Sequence, residues 1–303
     1  MTLPIVSEEK TGLSAQKQVT LLLTRTGIQI TRRFAYPFIP EISRLLGTST
    51  ASIQGAIGVQ SGVGLLSLFI GGLSDRYGRK RMMLFSAGLS SAAAALGLLF
   101  PTSFTLFYAV VVLWGFMLII FHPAALAYIA DHVAYEKRGS ATGFNELSWA
   151  FALIISAPLL GYLLDFDSLA WVYGYIFIFN FVGALALWLF IPSDKVDPHE
   201  QSAPHLGFMP SMRLLFGSTG ALLATLFAFG ISCGNEVVLI VYGSWMEEAF
   251  NLRLTALGFL TIVIALAELA GNGLIMAIAD RFGKKRLTLL ACWVAGAGYL
   301  AMW

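Results

Sequence analysis

Two copies of one short charged loop, each set against long apolar segments, restrict this chain more than any other feature. The first reads Gly71-Gly72-Leu73-Ser74-Asp75-Arg76-Tyr77-Gly78-Arg79-Lys80-Arg81. The second, Ala279-Asp280-Arg281-Phe282-Gly283-Lys284-Lys285-Arg286, follows about 200 residues later. Over nine aligned positions from Ser74 and Ala279, five are identical and four are conservative swaps. Such a repeat at the mouth of an apolar pair implies two similar membrane halves. Asp75 cannot lie unpaired in hydrocarbon, so it sits at the surface or finds a donor. Gly78 supplies the positive φ that reverses the chain, and the basic run after it holds the loop on one side of the membrane.

Hydrophobic residues make up 57% of the chain and charged ones 12%, against about 25% charged in soluble domains. That excludes a soluble enzyme on a single anchor. Nine apolar segments read as membrane helices, roughly 18–46, 50–73, 82–100, 104–130, 140–164, 169–192, 217–245, 252–278 and 287–303. Most reach the ~20 residues needed to cross hydrocarbon. Fourteen Lys and Arg residues fall on the side of the N-terminus and two, Arg44 and Arg253, on the other. The positive-inside rule then places the N-terminus in the cytoplasm. The first 17 residues show no cleavage site after an apolar stretch, so the first helix is expected to be an uncleaved anchor. Cys233 and Cys292 lie in apolar segments and read as buried small hydrophobes, with no disulfide or metal framework.

The stretch Ser193 to Ser211 holds three prolines and reads as a cytoplasmic linker. The expected division is a tail at 1–17, a six-helix bundle at 18–192, a linker at 193–216 and three helices at 217–303. The first half uses about 90 more residues beyond the point matching the ninth segment. Three further helices are therefore expected, and the sequence is either a fragment or a truncated product.

Polar residues inside the segments are the site candidates. Arg25, Gln29, Arg32 and Tyr36 are spaced 4, 3 and 4, which puts them on one helical face. Arginines do not stay in lipid, so this face is expected to meet water or a carboxylate. The alternative is that Arg25 snorkels to the inner surface and Arg33, just beside the stripe, to the outer. Gly58 and Gly62 read as a small-xxx-small pair for close packing, or as a sliding surface between halves. His122-Pro123 interrupts the fourth helix, where His122 either bonds a carbonyl freed by Pro123 or joins a polar cluster. Glu146 lies about 10 Å into the fifth helix at 1.5 Å per residue, a depth shared by Arg25. Arg25, His122 and Glu146 are expected to form one cluster, with Asn145 beside it. Asn180 either lines a cavity or bonds a neighbouring helix. Trp171, Tyr173 and Tyr175 read as an aromatic belt. In the second half, Glu236 interrupts the seventh helix, while Glu268 and Asn272 share a face of the eighth. Arg32 lies about 21 Å along its helix and Glu236 about 28 Å along its own, and the two helices are equivalent under the two-fold repeat; the two are expected to face each other across a central cavity, the alternative being that Arg32 pairs within its own bundle and Glu236 reaches outer water. Either acid can instead be a structural ion pair or a buried protonated group.

The segment Gly71 to Arg81 resembles the loop signature of the major facilitator superfamily, between its second and third helices. Asp280 to Arg286 resembles the degenerate copy between the eighth and ninth. Asp131, Arg138 and Gly139 resemble the turn from the fourth helix to the fifth, which implies that Asp131 and Arg138 pair around Asp75. Tyr36-Pro37-Phe38-Ile39-Pro40 resembles the first-helix Pro-x-x-Pro motif of drug-efflux members. Ser156-Ala157-Pro158-Leu159-Leu160-Gly161 resembles the antiporter motif Gly-Pro-x-x-Gly, with Ala157 in place of its glycine. Efflux members often carry an acid deep in the first helix, where this chain has arginines.

The resemblance implies an all-α polytopic membrane protein of two bundles, the first complete with six helices and the second cut to about three. It implies a conformational motif of Gly71, Asp75, Arg76, Gly78, Arg79, Asp131, Arg138, Asp280, Arg281 and Gly283. The expected activity is proton-coupled export of a small organic molecule by alternating access. An organic-anion transporter using Arg25 and Arg32, or a non-transporting sensor if the truncation is natural, are the alternatives. No nucleophile-base set, Gly-x-x-x-x-Gly-Lys loop or metal-ligand cluster occurs, so no enzyme activity, cofactor or metal is expected. The expected partners are a small-molecule substrate, protons and the lipid bilayer, with no nucleic acid. A monomer in the cell membrane with a cytoplasmic N-terminus is expected.

Overall fold

The computed structural model describes residues 12–70, 73–193, 216–282 and 284–301. Gly71, Gly283 and the segment 194–215 lie outside the described residues, as do the side chains of Asn272, Asp280 and Arg281. All regular structure among the described residues is helical. Serines start several helices by accepting a backbone N–H with their hydroxyl: Ser49 from Ser52 at 3.2 Å, Ser103 from Leu106 at 3.3 Å and Ser168 from Ala170 at 3.2 Å. These bonds satisfy donors that the first helical turn cannot pair.

The first span is α1, Ala15–Arg33, a 3-10 turn at Tyr36–Phe38, and α2, Ile39–Leu45. The span expected over 18–46, with its helix ending at Tyr36 to Pro40, does break there, because Pro37 and Pro40 bring no N–H to the ladder, and then resumes as α2. The second span is α3, Thr50–Gly62, a 3-10 stretch at Val63–Leu66 and α4, Ser67–Ile70. It tightens where Gly62 and Gly64 weaken helix propensity. The motif loop forms α5, Leu73–Tyr77, and then turns at Gly78 with φ +93° into α6, Arg79–Leu99. Next come α7, Phe104–His132, α8, Tyr135–Glu146, α9, Ser148–Leu164, and α10, Leu169–Phe190. The fifth span is thus two helices meeting at Leu147. The second half supplies α11, Thr219–Phe250, α12, Leu254–Phe282, and α13, Lys284–Ala301. Helix α11 runs five residues past the expected end and stops at Asn251, whose φ of +50° is the left-handed cap and whose N–H reaches the Glu247 carbonyl at 2.8 Å. Five helical stretches among the described residues are long and apolar enough to cross a membrane: 79–99, 104–132, 137–164, 169–190 and 219–250.

The core of the first six spans has two parts. One gathers Phe34, Phe107, Trp114 and Tyr173, with Phe34 edge-on to Trp114 at 5.4 Å. The other gathers Met83, Phe121, Tyr128 and Leu187. Helices α1 and α10 come close because Gly183 has no side chain: a Cβ there would stand 3.2 Å from the Thr24 backbone. Thr24 uses that proximity to donate to the Gly183 carbonyl at 3.1 Å. Three expectations are corrected. No atom lies within 4 Å of a Cβ built at Gly58 or Gly62, so this pair makes no close packing among the described residues. Tyr173 is 2% exposed against Gly97, so only Trp171 of the supposed belt is well exposed at 57%. Cys233 is exposed rather than buried.

Candidate functional site

A cavity of about 1370 Å³ lies between the two halves. Arg25, Gln29 and Arg32 of α1 line it, so the 4-then-3 spacing does produce one polar wall. Gln60 and Ser61 of α3, His122 of α7, and Glu146 and Trp149 of the fifth span complete the first-half side. Asn235 of α11 and Glu268 of α12 come from the second half.

At one end of the cavity the two halves pack together. Toward Arg44, the turn at Tyr36–Phe38 and α2 pack on α11, and α9 packs on α12. Two glycines make this contact possible. The Tyr36 and Pro37 carbonyls occupy the place of a Cβ at Gly243. A Cβ at Gly258 would lie 2.6 Å from the Ala157 carbonyl. The Ala157-Pro158 step of the motif-like segment is therefore an interface between halves.

Charges divide in the same way. Arg25, 2% exposed, donates from Nη2 to Glu146 Oε2 at 2.8 Å, wholly within the first half. His122 shares their cavity and makes no hydrogen bond among the described residues. The bond to a carbonyl freed by Pro123 is therefore not made. Arg32 Nη2 reaches Glu236 Oε1 across the halves at 3.3 Å. The same oxygen accepts from the Tyr36 hydroxyl and, at 3.3 Å, from Ser61 Oγ. Three first-half donors thus converge on one second-half carboxylate. At the rim, Arg44 bridges Glu41 and, at 2.7 Å, Glu247 of α11.

Arg33 does not snorkel. It is 3% exposed, with its guanidinium 3.5 Å from the centre of the Trp149 ring and none of its three nitrogens hydrogen-bonded among the described residues. Arg32 approaches the same ring at 5.6 Å. Such cation–π stacking partly offsets burial of the charge. Glu268 lines the cavity without an ion pair among the described residues. Asn180 is buried and donates to Ile176 at 3.0 Å and Gly27 at 3.4 Å, so it ties helices and does not line the cavity. Asn145 is 2% exposed with its amide unpaired among the described residues, behind Glu146.

At the other end, Arg79 bonds Asp75 at 2.5 Å and Asp131 at 3.1 Å, so Asp131 joins the loop as expected from the resemblance. Arg138 does not: its Nε donates to the Val133 carbonyl at 3.1 Å, and it stacks near Tyr135. Arg76 lies over Tyr77 at 5.5 Å. Trp149, Ser61 and the Arg44–Glu247 link were not foreseen. Trp149 stands three residues after Glu146, one turn along the same face, which is the signal that pointed to it.

Membrane-spanning helices from two halves, closed together at one end around a polar cavity, define a polytopic helical transporter. The chain belongs to the Major Facilitator Superfamily, matched over residues 21–303. It is 27% identical to the enterobactin exporter EntS of Salmonella typhi over 87% of this chain and 68% of that protein. It is 25% identical to the multi-drug resistance efflux pump PmrA of Streptococcus pneumoniae over 87% of this chain and 67% of that one. The crystal structure of a D-xylose-proton symporter matches with a TM-score of 0.65 at 17% identity, covering 90% of this chain and 71% of the symporter.

Proposed function

We propose that this transporter exports a small organic molecule in exchange for protons by alternating access. The observation that carries the reading is the Arg32–Glu236–Tyr36 latch, which joins the two halves at one end of a cavity that both halves line. A pair in a wet cavity can form and break within a cycle, where each charge alone would be costly. The basic loops support a cytoplasmic Asp75 end, and on that reading the end where the halves close faces outside. The efflux names of two relatives support export. Glu146, Glu236 and Glu268 are the candidate proton carriers, and Arg25, Gln29, His122 and Asn235 line the substrate path. Asp75, Arg79 and Asp131 hold the cytoplasmic end of the first bundle, 18–192, joined through 193–216 to helices of the second. The protein works as a monomer in the plasma membrane. The organic-anion alternative is weakened because Arg25 and Arg32 are each matched by a glutamate.

Vesicle flux after a charge swap tests the latch. Arg32→Glu and Glu236→Arg each lower flux about tenfold, the equivalent of about 1.4 kcal/mol, and the double swap restores a good part of it. Failure of the double swap, with normal insertion, removes the latch. Flux that persists after the proton gradient is collapsed removes proton coupling. Ligand binding without any flux would make the chain a sensor.

A further inference from the structure

Two cations of the first half face two acids of the second, and among the described residues only one of the two possible pairs is bonded. Arg32 and Arg33 are consecutive on α1, and Glu236 of α11 and Glu268 of α12 stand across from them. Arg32 reaches Glu236 at 3.3 Å. Glu268 lies within the field of Arg33, yet no side-chain nitrogen of Arg33 is hydrogen-bonded among the described residues. A buried guanidinium is best satisfied by a carboxylate that its donors can touch, so the missing bond needs a cause. Trp149 supplies one. The Arg33 guanidinium lies 3.5 Å from the centre of the indole ring, and cation–π attraction holds it there without using a single N–H donor. Trp149 and Glu268 both line the cavity and Arg33 does not. The ring therefore covers the guanidinium on the side from which Glu268 would be reached. The stem of Arg33 is held from behind, in a slot with Ile30, Phe34, Leu153 and Leu160. Trp149 lies in the first turn of α9, just past the break at Leu147, and α9 packs on α12, which carries Glu268.

Resting on the alternating-access reading above, we propose that Trp149 is a positioning residue that keeps Arg33 and Glu268 from forming a second ion pair between the halves. The ring leaves the attraction and removes the bond. Attraction across a gap weakens gradually as two bodies separate, whereas a bonded buried pair is lost abruptly and leaves uncompensated charge. The closed end is thus held by the shared Glu236 carboxylate and the rim pair Arg44–Glu247, and it opens more readily than it would with Glu268 engaged as well. Without an aromatic face, the long arginine stem is free to change rotamer and the second latch forms.

Double electron–electron resonance across the closed end tests this on the full chain in lipid nanodiscs. Spin labels go on Thr50→Cys and Ala249→Cys, exposed positions on either side of the Arg44–Glu247 rim, with Cys233→Ser and Cys292→Ser. The parent is expected to show a near and a far population. Trp149→Leu and Trp149→Met, which fill space without an aromatic face, lower the far-to-near ratio at least about fivefold. Trp149→Phe, which keeps a ring, stays within about twofold of the parent. Adding Glu268→Gln or Arg33→Gln to Trp149→Leu returns the ratio toward the parent value, which repair of a packing defect would not do. Glu268→Gln alone shifts it by no more than about twofold, because the bond it would remove is not made. An unchanged ratio in the Leu and Met variants, a shift that neither second substitution reverses, or Phe behaving like Leu overturns the proposal. So does a shift for Glu268→Gln alone as large as that for Arg32→Gln, an outcome readable even where the Trp149 variants do not insert. A single population in the parent at every pH removes the alternating-access reading and this proposal with it. Two populations that ignore Trp149 remove this proposal alone.

Discussion

Arg25 and Arg32 sit on one face of one helix, two turns apart, and face opposite tasks. Arg25 is 2% exposed and bonds a glutamate of its own half; Arg32 is 26% exposed at its side chain and bonds a glutamate of the other half at a longer 3.3 Å. The first pair lies within one half, buried at Arg25 and 45% exposed at Glu146, and moves as one body with its helices. The second is longer and shared with Tyr36 and Ser61. A charge inside a half stabilises that half, and a charge between halves sets which end is shut. The rim pair Arg44–Glu247 belongs with the second kind, whereas the Asp75–Arg79–Asp131 network lies within one half, at the loop to which the family resemblance gives a conformational role.

That distinction can be broken by substitution. Gly243→Val should have the largest effect. Its side chain would overlap the Tyr36 and Pro37 carbonyls, so the shut end cannot form. Transport is expected to vanish while the protein still inserts; flux close to the parent value would show that the two halves do not meet there. Glu146→Gln comes next. Leaving Arg25 without a counter-charge costs about 3 kcal/mol, the low end for a broken buried pair because Glu146 is half exposed. A clear fall in melting temperature is expected, with accessibility of single cysteines along the cavity unchanged. Asp75→Asn follows, with several-fold slower flux and a shifted accessibility pattern. Unchanged values for both would separate this loop from the conformational cycle. Arg44→Ala should matter least. The side chain is 55% exposed, and exposed pairs contribute about 0–1 kcal/mol, so flux should change by no more than about twofold, and less in high salt.

Much of this arrangement was legible in the residues. The stripe Arg25, Gln29, Arg32 follows from helical periodicity alone, and depth counting, joined to the helix neighbours that the family resemblance implies, brought Glu146 to Arg25 and Glu236 to Arg32. Helix breaks were less legible. Pro37 and Pro40 marked an end, but not that a further seven-residue helix would resume beyond them. Arg33 could not be placed, since one residue's rotation on a helix separates a snorkelling cation from one stacked on Trp149. The glycines misled most. Gly58 and Gly62 have the spacing of a packing motif but face open space, whereas Gly243 and Gly258, with no motif, sit at the interface. Spacing describes one helix surface. Which surface meets a neighbour depends on the neighbour, and a single sequence does not carry that information in local pattern.

The broken first span has one more consequence. Pro40 has no N–H to offer the Tyr36 carbonyl four residues before it. That oxygen, with the carbonyl of Pro37, lies where a side chain at Gly243 would begin. The two carbonyls thus face the Cα of a glycine in the other half, a setting suited to weak C–H···O contacts. The turn at 36–37 and position 243, about 200 residues apart in the chain, are therefore one packing unit. A residue with an N–H at 40 would draw back the Tyr36 carbonyl alone; the Pro37 carbonyl, which lies nearer, would still keep a side chain out of position 243.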